Sequence, residues 1–337
     1  MVALQFLLAA LIPFVTTVSP TLWSNEYFKN EPSLPVVKTN FHQDVAMAES
    51  EDCTDKKDLP IIFFHGLTGS SADGANIAAN ITSEGRAFAA LSFCEQECST
   101  EGLNLQLSLA SAAVRDVVAS DDRFKNGYIF MGHSMGSLLA RAVIETMDGH
   151  KVHTFVSLAG VLNGIFYGPQ EADRVPVRLL AQGSGAAAIP PTVFNFSDYS
   201  TKEYRGKMQY DWARQLTDPE TQATYSWANL ARFPVNDVWV DTNKFIPLFN
   251  NMNNELSTLE DIEAKFEGLA IVEMHDTVEY KEDTFGLRTL DERGGLFLYT
   301  APNVSHPCWL QDCTFFHTEG TCEFKLVYDE FVYKVIS

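Results

Sequence analysis

The stretch Gly132-His133-Ser134-Met135-Gly136 constrains the fold more than any other part of this 337-residue chain. Before it stands Gly127-Tyr128-Ile129-Phe130-Met131, short and β-prone; after it come Leu138, Leu139, Ala142, Val143 and Met147, spaced along one helical face. A serine between such a strand and such a helix sits on a sharp, strained turn with its hydroxyl pushed forward. Glycines two residues to either side remove side chains that would collide with the neighbouring strand and helix. The expected result is a nucleophile elbow carrying Ser134.

Alternating strand and helix signals surround this motif. Ile61-Ile62-Phe63-Phe64 reads as a buried strand ending at His65-Gly66-Leu67-Thr68-Gly69, and Ala87 to Phe93 as a second. Asn104 to Ser120 carries apolar residues at near-helical spacing, and Val152 to Leu158 reads as another strand. The alternation predicts an α/β chain built on a mostly parallel, doubly wound sheet. Between about residues 160 and 265 the rhythm gives way to an aromatic, turn-rich, largely helical insertion. Leu269-Ala270-Ile271-Val272 and Gly295-Leu296-Phe297-Leu298-Tyr299 are expected as later strands, and Cys322 to Val335 as a closing helix.

The N-terminal region has a different character. Residues 1–25 contain no ionisable side chain, and Phe6 to Val15 is apolar but interrupted by Pro13, too short to span a bilayer comfortably. Residues 1–24 read as a secretory signal peptide and 25–58 as a polar arm, leaving 59–337 for the catalytic domain. That route agrees with six cysteines, an even number: Cys53, Cys94, Cys98, Cys308, Cys313 and Cys322. Close spacing of Cys94 with Cys98, and of the last three, favours local disulfides, with connectivity left open. No CxxC pair supports a zinc site, and neither a metal nor a cofactor is expected. Asn80, Asn195 and Asn303 head N-x-S/T sequons and are glycosylation candidates. The net charge of −20 opposes nucleic acid and anionic lipid as partners. Oligomeric state is not legible.

A serine hydroxyl needs an imidazole to take its proton and an acid to orient that imidazole. In sheets of this kind the three follow in the order serine, acid, histidine. Five histidines lie downstream of Ser134, and His150 and His153 stand too close to it in sequence. His306, in the loop after the last expected strand, is best placed to reach back as the base. Asp276 follows an expected strand at the end where catalytic loops gather, with Asp283 as its competitor. Backbone N–H groups of Met135 and Leu67 are the expected oxyanion donors.

From Leu59 onward the chain resembles the palmitoyl-protein thioesterases, including the type-two lysosomal branch. The likeness rests on Leu59 to Leu67, the Ser134 elbow with Arg141-Ala142, Phe155 to Leu158, Gly164 to Gly168 and Asp218-Pro219. It continues in His275 to Val278, Asp283 to Leu290, and Val304-Ser305-His306 with Trp309. Met135, Gly136 and Ser137 replace the glutamine and two glycines usual in that family. The resemblance implies an α/β-hydrolase fold, a triad of Ser134, Asp276 and His306, and an insertion that accommodates a fatty acyl chain. It implies hydrolysis of fatty acyl thioesters, on S-acylated protein or acyl-CoA, in the lysosome or secretory route without a stable membrane anchor. A carboxylester lipase with the same residues and a non-catalytic lipid-binding protein on this scaffold are the other readings.

Overall fold

The computed structural model describes residues 58–166, 214–232, 236–250, 252, 274–284, 286–299, 301, 304–312 and 322–337. Of the chain's two units, Met1–Glu51 and Asp52–Ser337, all of these belong to the second. The expected signal peptide, nearly all of the polar arm, the strand at Leu269–Val272, Asn195 and Asn303 lie outside them.

The frame is a four-stranded parallel sheet in the order β2-β1-β3-β4. Its strands are β1 (Ile61–Phe64), β2 (Phe88–Ala90), β3 (Tyr128–His133) and β4 (Val152–Leu158). Helices α1 (Ala75–Ser83), α2 (Leu103–Ser120) and α3 (Met135–Thr146) connect them. Strand β1 lies centrally, Ile62 opposite Ala89 on one side and Phe130 on the other. Parallel neighbours require crossover helices, which cover both faces and make the central strands continuously apolar. Accordingly, all four residues of β1 and all six of β3 are buried.

Period-two alternation divides the core between the two faces. Ile62, Phe64 and Phe130 pack with α2 and α3, whereas Ile61, Phe63, Ile129 and Met131 pack with α1 and the C-terminal helix. Each such side chain stabilises the fold by about 1.5–3 kcal/mol relative to exposure. A one-residue slip would reverse both faces together, so the register is firmly specified. Arg86 ties the second core shut. Its guanidinium donates twice to Leu59 O, at 3.0 and 2.7 Å, and once to Ile336 O at 3.1 Å.

The insertion contributes β5 (Ile165–Phe166) paired with β6 (Ala231–Arg232), and the helices α4 (Pro219–Thr224), α5 (Ser226–Leu230) and α6 (Asn236–Thr242). Trp227, Trp239, Phe245 and Phe249 belong to the core rather than to an open face. The C-terminal helix runs from Phe324 to Ile336 with a π-helical turn at Tyr328–Val332.

Two elements differ from expectation. The second strand is only Phe88–Ala90, since the chain then turns through Cys94 and Gln96 at positive φ. Gly295–Tyr299 is irregular rather than a strand, and Phe297, Leu298 and Tyr299 are exposed. Strand composition alone does not make a strand without a neighbour to pair with. Disulfides join Cys94 to Cys98 and Cys308 to Cys322. Among the described residues no helix is long and apolar enough to cross a membrane.

Candidate active site

The turn between β3 and α3 is tight because backbones meet there. A Cβ at Gly132 would collide with the Cα and N of Ser137, and one at Gly136 with the carbonyls of Phe64 and His65. Ser134 occupies the corner at φ 55° and ψ −123°, in the left-handed range that non-glycine residues rarely adopt. Its N–H donates to Leu158 O on β4 at 3.0 Å, so the sheet holds the strained corner in place. Met135 opens α3, where an N–H has no partner in the helix's own ladder.

Facing the elbow is the turn after β1. Gly69 N donates to Gly66 O at 3.1 Å, and Thr68 N to Ser99 Oγ at 2.6 Å. Gln96 N donates to Gly69 O at 2.7 Å, and Ser71 N to the Glu95 carboxylate at 2.8 Å. The loop closed by Cys94–Cys98 therefore braces the turn that carries Leu67. Gly66 lets the two turns approach, since a Cβ there would lie 3.1 Å from Ser134 Cβ.

A cavity of about 540 Å³ opens between these turns. Leu67, Ser134 and His306 all line it, with Asp73, Asn76, His133 and Gln311 among their neighbours. Among the described residues no lysine or arginine lines it. His306 begins a short 3-10 turn, His306–Trp309, held by Asn76 Nδ2 donating to Leu310 O at 2.9 Å and by the Cys308–Cys322 bridge. The His133 ring stands 4.6 Å from the His306 ring, tilted by 46°, and its Nε2 lies 3.0 Å from the His306 carbonyl oxygen.

Burial pushes the His133 pKa down to about 4, with the nearby His306 adding to the effect. His306 is also lowered from its ordinary value by burial. The residue as a whole is exposed at the cavity rim, but its ring is pressed against buried His133; the downward direction follows from that contact.

The sequence-expected residues thus divide. Leu67, Ser134 and His306 come together on one cavity, and Met135 adjoins Ser134 with a fully buried side chain. Asp276 lies in the 3-10 turn Met274–Asp276, exposed, with its carboxylate 3.2 Å from Lys281 Nζ and outside the cavity lining. Among the described residues no carboxylate hydrogen-bonds to the His306 ring. Its competitor Asp283 instead accepts from Thr289 N at 3.1 Å and from the Thr289 hydroxyl. Asn80 is half-buried on α1, donating to Asn76 O and accepting from Lys325 Nζ at 3.2 Å. Sequence reasoning overlooked Asp73, Asn76 and Gln311, which carry no local signal, and His133, which stands inside the motif itself.

Behind the elbow, Arg141 on α3 donates to Asn250 Oδ1 at 2.7 Å and Phe249 O at 2.5 Å, and Asn250 Nδ2 to Asn163 Oδ1 at 3.0 Å. The elbow helix is thereby bonded to the Phe249–Asn250 stretch of the insertion, which in turn holds Asn163 near the insertion's start.

Comparison with known proteins gives a consistent result. The family model described as palmitoyl protein thioesterase matches residues 60–270. A lysosomal thioesterase PPT2-B of Xenopus laevis is 26% identical over 215 residues, covering 55% of this chain and 64% of that protein. Palmitoyl-protein thioesterase 3 of Dictyostelium discoideum is 26% identical over 194 residues, covering 55% and 63%. The human lysosomal thioesterase PPT2 is 22% identical over 290 residues, covering 77% and 85%. The chain thus spans just under two thirds of the length of the first two relatives.

Proposed function

The chain belongs to the palmitoyl protein thioesterase family, and from that premise we propose that it hydrolyses fatty acyl thioesters through an acyl-serine intermediate. The observation that carries the proposal is the meeting of Ser134, on its strained elbow, with His306 and Leu67 around one cavity.

Ser134 Oγ attacks the acyl carbonyl carbon as His306 takes the hydroxyl proton. The carbonyl oxygen becomes an oxyanion held by the N–H groups of Met135 and Leu67; losing one such donor typically costs about 3–4 kcal/mol. Collapse breaks the C–S bond, and the thiolate leaves with the proton that His306 returns. A thiol is a good leaving group because its pKa is about 8.5. Water then attacks the acyl-serine, with His306 again as base, and the fatty acid departs.

Asp276 is assigned as the acid that orients His306. Chain order and the family resemblance support it, and the assignment requires the segment Met274–Lys281 to bring that carboxylate from Lys281 onto the imidazole. The insertion between about residues 160 and 265 is assigned the acyl chain. Two disulfides and the lysosomal relatives support residence in the lysosome or secretory route.

The test compares the purified chain on a palmitoyl thioester and on the matched oxoester. Preferential thioester turnover is expected, with Ser134→Ala lowering kcat by at least about 1000-fold. Equal or better oxoester turnover would transfer the assignment to a carboxylester lipase. No turnover of either, with no labelling of Ser134 by a fluorophosphonate, would refute the catalytic reading.

A further inference from the structure

We propose that His133 is the positioning residue for the base: its Nε2–H fastens the backbone carbonyl of His306 and thereby sets where the imidazole stands beside Ser134. The inference rests on the serine–histidine reading above and concerns a residue with no role in it.

His133 is the last residue of β3, buried, in register with Leu158 on β4 and joined by a peptide bond to the nucleophile. A carbonyl oxygen can only accept, so the 3.0 Å contact to His306 O places the proton on His133 Nε2 and leaves Nδ1 bare. The bare nitrogen faces the turn after β1: a Cβ added to Gly66 would come to 3.4 Å from it. His133 is therefore wedged between the Leu67 turn and the His306 turn.

Among the described residues the other ties on this segment act on its neighbours: Ser305 Oγ lies 3.4 Å from Cys322 Sγ, Cys308 is bridged to Cys322, and Leu310 O accepts from Asn76. Residue 306 itself is held by His133. Among the described residues the His306 ring nitrogens have no hydrogen-bond partner, so the backbone anchor and the ring contact at 4.6 Å define the base's position. Nucleophile and base are thus referenced to one strand end. Burial also keeps His133 neutral above about pH 4, so it remains a donor and adds no second cation when His306 takes the Ser134 proton.

A buried histidine can also be only a satisfied core residue, and the test separates the two roles. The full chain is prepared with His133→Leu, His133→Gln and His133→Asn. Each variant is assayed for kcat and KM on a palmitoyl thioester, fluorophosphonate labelling rate and thermal midpoint. Misplacing a reacting group by about 1 Å costs on the order of 100-fold. The Leu variant is expected to lose about that in kcat and in labelling, with KM within about twofold. Gln, whose amide N–H reaches the same carbonyl, is expected to recover to within about tenfold of wild type, and the shorter Asn is not.

Equal kcat and labelling in wild type and the Leu variant overturn the proposal. If the Leu variant does not fold, Gln and Asn decide it: equal activity of the two overturns it, and a large excess for Gln supports it. Labelling follows Ser134 activation whatever the leaving group. A wild type that labels but cleaves no thioester defeats the proposed substrate, and the labelling rates still decide the role of His133. A wild type that does not label refutes the serine–histidine reading and this inference with it.

Discussion

Gly136→Ala sets two opposing effects against each other. Gly136 is the second residue of α3, and helix propensity favours alanine over glycine by about 1 kcal/mol. The added methyl would be driven into the backbone carbonyls of Phe64 and His65, which cannot rotate away as a side chain would. Overpacking of this kind costs typically about 1–3 kcal/mol, and with backbone as the obstacle the upper part of that range applies. The net expectation is destabilisation by about 1–2 kcal/mol, read as a lower urea midpoint at unchanged m-value. Relief requires the start of α3 to move away from the end of β1, parting the Met135 N–H from the Leu67 turn. Under the proposed mechanism this is the loss of one oxyanion donor, which lowers kcat by about 100- to 1000-fold. Stopped-flow or steady-state thioester hydrolysis, read with the urea curve, checks both. A variant at least as stable as wild type, with kcat within about threefold, would refute the argument.

Further outcomes follow from the geometry and from the proposed mechanism. The lowered pKa of His306 keeps it an unprotonated base into mildly acidic solution, so the acid limb of kcat/KM is expected below pH 6.5; a midpoint at or above that value contradicts it. His133 binds its proton at about pH 4 when folded and near 6.5 when unfolded, so the unfolded state takes up protons first as pH falls. Stability is expected to drop by about 3 kcal/mol between pH 6.5 and 4, seen in urea melts and diminished in His133→Gln. Arg86→Ala leaves the carbonyls of Leu59 and Ile336 without their charged donor and is expected to cost about 3 kcal/mol by urea unfolding. Asp276→Asn is expected to lower kcat by about 10⁴-fold if Asp276 orients the imidazole. Lys281→Ala, which removes only an exposed ion pair, should change stability by less than about 1 kcal/mol, and unchanged kcat in Asp276→Asn would remove Asp276 from the site.

What the sequence displayed clearly was whatever depends on local pattern. The strand at Ile61–Phe64, the helix Leu103–Ser120, and the elbow between β3 and α3 arise from apolar periodicity and from glycines at obligatory close approaches. The meeting of His306 with Ser134 on one cavity was legible because chain order in such sheets restricts which loop can return to the elbow. Gly295–Tyr299 was misread because its β-prone residues say nothing about whether a neighbouring strand is available. The side chain of Asp276 lies at the end of a short turn, where an adjacent lysine competes for it. Position 133 was hidden for the opposite reason: within a motif defined by its glycines and serine, the histidine looked interchangeable. Arg86 carries no periodic signal, as its partners are carbonyls 27 and 250 residues away.

The small ring closed by Cys94 and Cys98 is absent from the described lining of the cavity around Ser134 and His306, yet it grips the segment from Gly69 to Ser71 through the Gln96 N–H and the Glu95 carboxylate. Changes in the number or bulk of residues inside that ring would tilt the Leu67 N–H, the proposed oxyanion donor, while leaving Ser134 and His306 in place. Under the proposed mechanism, the rate of the chemical step can therefore be adjusted from this remote clasp through one oxyanion donor alone.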